Sequence, residues 1–215
     1  MSSIAVIDYG MGNLHSISKA LQHVAGDAQI IVTADRQQIL EADRVVFPGV
    51  GAIRDTMTEL ARLQLNEVVI EAARTRPFLG ICLGMQALLD SSEENGGIDC
   101  LGLIPGQVRY FGDNLKDPQT NSTLKIPHMG WNQVTPSRPH PLWHGIERDH
   151  WFYFVHSYFV DPANPDHCAA EADYPSPFAA AIAQDKMVAV QFHPEKSHDS
   201  GMTLLGNFTR WNGEV

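Results

Sequence analysis

The stretch PFLGICLGMQALLD, residues 77–90, decides how the chain is read. Phe78–Cys82 is a short apolar run behind a proline, the pattern of a strand buried on both faces. GMQALLD (84–90) then takes a helical pattern, so the chain passes from strand to helix at Cys82. A strand that turns at once into a helix is the building unit of an α/β fold. Gly80 and Gly84 stand where side chains would collide in so tight a turn, and Cys82 between them is presented at the sheet edge. The start of a helix favours thiolate over thiol, and the Leu83 N–H is placed to hold an oxyanion. A strained, exposed nucleophile is one reading of this cysteine. An inert residue at the end of a buried strand is the other, and for the stretch alone it is the commoner one.

Outward from this turn the alternation continues. SIAVID (3–8), QIIVT (29–33) and RVVFPGVGA (44–52) are further strand-like runs. Leu14, Ile17, Leu21 and Val24 recur at helical spacing until Gly26, and residues 54–75 carry the same period. Strands apolar on both faces, alternating with helices, predict right-handed crossovers and a parallel sheet covered on both sides. The expected class is α/β, doubly wound. From about residue 98 to 193 the chain is richer in proline, aromatics and short alternating runs: QVRYFG, WFYFVHSYFV, FAAAIA and MVAVQFH. These predict mixed or antiparallel strands with long loops, added to the same sheet or built into a small second one. A last amphipathic helix carries Leu204, Leu205, Phe208 and Trp211. With no repeat, low-complexity tract or linker, residues 1–215 read as one domain.

Composition narrows the function. Hydrophobic residues make up 44% and charged residues 19%, an ordinary globular balance. The net charge is −10 and no basic run occurs, so the long-range field has the wrong sign for nucleic acid. No apolar run approaches the roughly 20 residues of a membrane span, and MSSIAVIDYG lacks the basic flank of a signal peptide. A cytoplasmic location is expected. Three widely spaced cysteines, Cys82, Cys100 and Cys168, suggest neither a disulfide framework nor a zinc site, and the last two are expected to be structural. Of the ten histidines, His140, His150, His167 and His198 are expected at the surface.

A cysteine nucleophile needs a base, and the base needs an orienter. QFHPEKS (191–197) offers both. In an extended segment His193 and Glu195 project to the same side, and Pro194 biases the segment to that geometry. Glu195 can then hold the His193 tautomer and stabilise the imidazolium. An isolated H-P-E reads as readily as two solvated residues at a strand exit. PGVGA (48–52) adds a loop with glycine on both sides of Val50, which can rotate a peptide and aim the Val50 N–H at a developing oxyanion. By itself it is also an ordinary β-turn.

Taken together, GICLGMQ, the earlier P-G-x-G loop and the terminal H-P-E resemble the class I (triad) glutamine amidotransferases. Order and spacing match along nearly the whole chain. DYGMGNLHS (8–16), KIPHMGWN (125–132), FYFVHSYF (152–159) and HPEKS resemble, within that family, the glutaminase subunits of imidazole glycerol phosphate synthase. The resemblance implies a flavodoxin-like fold with a central mixed, mostly parallel sheet flanked by helices, and no metal or organic cofactor. It implies a catalytic triad of Cys82, His193 and Glu195 acting on L-glutamine, with oxyanion donors from Val50 and Leu83. It puts Gly51, Gln86, His156, Ser157 and Tyr158 at the substrate. It further implies a (β/α)₈ cyclase as partner in a heterodimer, facing Asn13, Met129, Trp131 and Lys196. For Met129 and Trp131 plain core packing is the competing reading, and for Lys196 a solvated charge. The nearest rivals are an amidotransferase subunit serving anthranilate or guanylate synthesis and a catalytically silent module that only recruits the partner.

Overall fold

The computed structural model describes residues 2–118 and 120–214. Its first half is a run of strand–helix units: β1 (Ser3–Ile7), α1 (Leu14–Val24), β2 (Gln29–Thr33), α2 (Arg36–Glu41), β3 (Arg44–Gly49), α3 (Ile53–Arg62), α4 (Asn66–Thr75), β4 (Phe78–Cys82) and α5 (Leu83–Gln86). The second half is mostly strands: β5 (Ser91–Ser92), β6 (Ile98–Asp99), β7 (Gly106–Tyr110), β8 (His128–Pro136), β9 (His150–His156), β10 (Tyr158–Pro162), β11 (Cys168–Asp173), β12 (Pro177–Gln184) and β13 (Met187–Val190). α6 (His198–Arg210) follows, and Trp211 lies one position past its end rather than inside it.

The strand order is β2-β1-β3-β4-β13-β12-β10-β7-β5-β6. From β2 to β13 every pair is parallel, the doubly wound pattern expected from the apolar runs. Beyond β13 the path turns antiparallel through β12, β10 and β7, and β11 leads off it to the β8–β9 hairpin. The second-half strands thus extend the same sheet.

Side chains alternate across β1. Ile4 and Val6 enter one core with Ile17, Leu21, Leu204, Leu205 and Phe208 of α1 and α6. Ala5 and Ile7 enter the other with Ile39, Leu60, Val68 and Val69 of α2 to α4. Two apolar layers therefore clamp the parallel strands, and burial at about 25 cal/mol per Å² makes them the main stabilising term.

Three local expectations change. Residues 54–75 form two helices, because Gln64 adopts φ 56 and the N–H of Leu65 folds back to the carbonyl of Leu60. The helix expected over 84–90 is only α5. The carbonyls of Ala87, Leu88 and Leu89 accept N–H groups from residues 101–104, so they cannot continue a helical ladder. His140 is buried against Trp211 instead of solvated, and its Nδ1 accepts the Leu142 N–H at 3.2 Å.

Candidate active site

β3, β4 and β13 end side by side, and their carboxyl ends carry Gly49, Cys82 and the segment leading to His193. Open parallel sheets place ligands at this edge. Cys82 sits at φ 54, ψ −110, a conformation unfavourable for any residue with a Cβ, and the surrounding packing holds it there. A Cβ on Gly84 would lie 2.0 Å from the Phe47 carbonyl oxygen, and one on Gly80 2.8 Å from the Ala189 Cβ. The turn is as tight as its glycines predict. The cysteine is strained but not exposed: it is 7% accessible, on the wall of a cavity of about 300 Å³.

His193 has extended backbone, φ −102 and ψ 97, but Pro194–Lys196 is a 3₁₀ turn rather than the continuing extended segment expected. The tighter turn still brings the two side chains together, with His193 Nδ1 at 2.9 Å from Glu195 Oε1 and both side chains at most 3% accessible. Among the described residues, His193 Nε2 has no hydrogen-bond partner at good geometry. Burial lowers the pKa of His193, but interaction with the Cys82 sulphur and with the Glu195 carboxylate outweighs it and raises the pKa to about 10. The ring lies between a sulphur and a carboxylate, and both favour its protonated form.

The same cavity is lined by Val50, Gly51, Leu83, Gln86, His156, Ser157 and Tyr158. Leu83 opens α5, so its N–H belongs to the first turn, which has no intrahelical acceptor. The loop bearing Val50 is pinned at its base, where the Tyr9 hydroxyl donates to the Pro48 carbonyl at 3.0 Å. Gln86 donates from Nε2 to the Tyr158 carbonyl and to Gln191 Oε1, each at 3.0 Å. That leaves Gln86 Oε1 as the atom it can offer a ligand, an acceptor suited to an ammonium group. His156 donates from Nδ1 to the Tyr158 carbonyl at 2.8 Å, so its Nε2 must accept from His128 Nδ1 at 2.9 Å. Burial, the first cause in each, pulls His156 down to about 3 and His128 to about 4, so both rings are neutral.

Sequence reading missed Glu94, Gln191 and His128. Glu94 reaches the cavity from the turn after β5, where its Oε2 accepts the Ile53 N–H at 3.2 Å, and burial raises its pKa. Its carboxyl group lines the same cavity as the Cys82 sulphur. Among the described residues no cluster of His, Cys, Asp and Glu could hold a metal ion. Cys100 and Cys168 are half-buried free thiols away from this cavity, and burial raises both, Cys100 to about 12.

Cys82, His193 and Glu195 gather beside a small cavity on the edge of a flavodoxin-like sheet, an arrangement suited to thiol-dependent acyl transfer. The model of the class-I glutamine amidotransferase family matches residues 5–210. A protein of Methylococcus capsulatus named imidazole glycerol phosphate synthase subunit HisH is 62% identical, over 98% of this chain and 97% of its own. The chain belongs to the class-I glutamine amidotransferases, and within them to the HisH family. A further HisH relative from Pseudomonas syringae pv. syringae is 57% identical over 99% of both chains. Among solved structures, PurLQS from Thermotoga maritima matches with TM-score 0.69 at 13% identity, covering 97% of this chain and 98% of that one. A glutamine amidotransferase, also from Thermotoga maritima, matches with TM-score 0.58 at 17% identity, covering 90% and 76%. At those identities the likeness is one of fold.

The four amidotransferase residues expected to face a partner lie outside the cavity or at its rim. Asn13 precedes α1 and lines a small cleft with Gly49, Val50, His193 and Glu195. Met129 and Trp131 are 62% and 41% accessible, so neither is packed in a core, and Trp151 at 50% joins them from β9. Trp131 stacks on His198 with ring centroids 5.0 Å apart, and exposed Lys196 sits over the Tyr153 ring at 5.9 Å. Among the described residues no helix is long and apolar enough to cross a membrane.

Proposed function

We propose that this chain is the glutaminase subunit of imidazole glycerol phosphate synthase, acting through Cys82, His193 and Glu195. The observation that carries the reading is His193, buried with its Nδ1 2.9 Å from the Glu195 carboxylate and lining the same amino-acid-sized cavity as Cys82. The Cys82 thiolate attacks the side-chain amide carbon of L-glutamine. The developing oxyanion meets the N–H groups of Leu83 and Val50, each donor of this kind being worth roughly 3 kcal/mol. His193 gives its proton to the amide nitrogen, the C–N bond breaks, and ammonia leaves behind a glutamyl thioester. A water then gives a proton to His193 and attacks the thioester. The C–S bond breaks, glutamate departs, and thiolate and imidazolium are restored. Glu195 keeps Nδ1–H in place throughout. Gln86 Oε1 and the Glu94 carboxylate fit the substrate's ammonium, while Gly51, His156, Ser157 and Tyr158 shape the rest of the pocket.

Ammonia released at neutral pH would become ammonium, which is not a nucleophile, so it must pass directly to its acceptor. The partner in this reading is a (β/α)₈ cyclase, bound as a heterodimer across Asn13, Met129, Trp131, Trp151 and Lys196. It uses ammonia to form imidazole glycerol phosphate and aminoimidazole carboxamide ribotide in histidine biosynthesis. Residues 1–215 act as one amidotransferase domain, a reading supported by the single connected strand network, and the complex works in the cytoplasm. The test is Cys82→Ala mixed with an imidazole glycerol phosphate cyclase. Glutamine-dependent turnover should vanish while turnover with added ammonium salt persists. Glutamine consumption at the unsubstituted rate would overturn the assignment.

A further inference from the structure

Gln191 follows β13 and is fully buried, with its backbone N–H bonded to the Ala180 carbonyl at 2.9 Å. A glutamine with no access to solvent must satisfy its amide inside the protein, and this one does so at the nucleophile. One end of its side chain lies 3.0 Å from Gln86 Nε2 and the other 3.7 Å from Cys82 Sγ. Which end is which follows from the neighbours. The Tyr158 carbonyl can only accept, so the Gln86 atom 3.0 Å from it is nitrogen. That same nitrogen donates to Gln191, so the Gln191 atom it meets is Oε1. The end turned to the sulphur is therefore Nε2, a donor, and its orientation is dictated by a chain of bonds that starts at a main-chain carbonyl.

We propose that Gln191 is a further catalytic residue, whose side-chain N–H holds the Cys82 sulphur as a thiolate and fixes its place on the cavity wall. The proposal rests on Cys82 being the nucleophile. A hydrogen bond to a thiolate is charge-assisted and favours the ionised form over the thiol, as a hydrogen bond does for any anion. His193 supplies charge from one side, and Gln191 supplies a neutral donor that does not leave with the proton it would otherwise share. Its aim depends on Gln86, which contacts the cavity through Oε1 and Gln191 through Nε2. Substrate recognition and nucleophile activation thereby meet in two adjoining amides.

The experiment measures alkylation of Cys82 by iodoacetamide against pH, read by mass spectrometry of the Cys82 peptide, in the full chain. Gln191→Met keeps the bulk and removes the donor. The alkylation midpoint should rise by about one pH unit, with roughly tenfold slower reaction at pH values well below the midpoint, the scale of one hydrogen bond to a charged group. Gln191→Glu keeps the acceptor for Gln86 but turns a carboxylate oxygen to the sulphur, and its midpoint should rise further. Midpoints equal to that of the unsubstituted protein in a folded variant would overturn the proposal. If neither variant folds, the Gln191 side-chain amide signals of ¹⁵N-labelled unsubstituted protein decide it. They should shift over the same pH range as alkylation, and signals that stay fixed overturn it. Alkylation needs no glutamine, so this outcome is separate from the fate of the glutaminase assignment, which Cys82→Ala decides.

Discussion

Two turns lie side by side at the cavity wall, and they are built in opposite ways. At the Gly80–Gly84 turn the neighbours leave no free space, with Phe47 and Ala189 inside the distance of any added Cβ, and Phe78–Leu89 is buried throughout. At the Pro48–Ala52 loop the base is pinned through Tyr9, but Gly51 is exposed at φ 102. Its one close neighbour is Met11 Cε, the tip of a flexible side chain, 2.9 Å from where a Cβ would sit. In the proposed mechanism one turn carries the atom that attacks and the other carries a donor for the charge that attack creates. The contrast teaches that the Cys82 sulphur is held by packing, whereas Val50 sits in a loop fixed at both ends but open at Gly51 between them. Its aim can change without moving Cys82.

The sharpest way to break this contrast is Gly84→Ala. Its Cβ would sit 2.0 Å from the main-chain oxygen of Phe47, and neither element can yield without opening the sheet. A loss of about 3 kcal/mol or more is expected, on the scale of severe overpacking in a core. Urea unfolding checks it, and a stability within about 1 kcal/mol of the parent would show the elbow to be less confined than the loop.

Next in size is Glu195→Gln, which acts on the base on the elbow's side. Turnover should fall by about 100-fold or more, since His193 loses the group that orients it and stabilises its charge. The pH dependence has a definite sign. His193 has a folded pKa raised to about 10 from an ordinary 6.5, so its protonated form adds stability that is complete below about pH 6.5 and fades as pH rises towards 10. With glutamine at 195 the folded pKa falls, and both this stability and the alkaline limb of glutaminase activity should move to lower pH. Melting temperatures and rates from about pH 6 to 10 read both, and an unmoved limb would break the link to Glu195.

What could be read from the sequence follows the same division between packing and aim. The parallel strands were legible because burial on both faces leaves unbroken apolar runs such as RVVFPG and PFLGIC. The His193–Glu195 contact was legible because H-P-E keeps the two residues adjacent, so even the wrong backbone, extended rather than 3₁₀, still brought them together. Gln191 was hidden because its meaning depends on Gln86 and Cys82, each over a hundred residues away, and nothing in VAVQFH marks it as more than a polar strand end. Glu94 arrives from a short turn whose path is set by β5 and β7 pairing. The early end of α5 was equally invisible, because the carbonyls of Ala87, Leu88 and Leu89 just beyond it are claimed by residues 101–104.

The loop's half of the contrast is probed by Gly51→Ala. Placing a Cβ at φ 102 costs about 1–2 kcal/mol of strain, and the chain should relieve part of it by turning the Val50–Gly51 peptide. Turnover is expected to drop about tenfold or more through kcat, towards the cost of one oxyanion donor, while Cys82 alkylation keeps its parent rate. Equal losses in both assays would mean that the loop and the elbow move together, and the contrast between them would fail.

The smallest effect on the chain itself is expected from Trp131→Ala. Trp131 is 41% accessible and stacks on His198 at the head of α6, so its removal should change stability by no more than about 0.5 kcal/mol. Cys82 alkylation in the isolated chain should be unchanged, because the elbow owes nothing to this surface. In the presence of the cyclase the variant should need more partner to reach half-maximal glutaminase activity, as an exposed tryptophan is the kind of side chain that anchors an interface. Titrating partner into both proteins measures this directly. A fall in alkylation without partner would connect the aromatic surface to the elbow through α6. The two turns would then differ in packing alone and not in what they answer to.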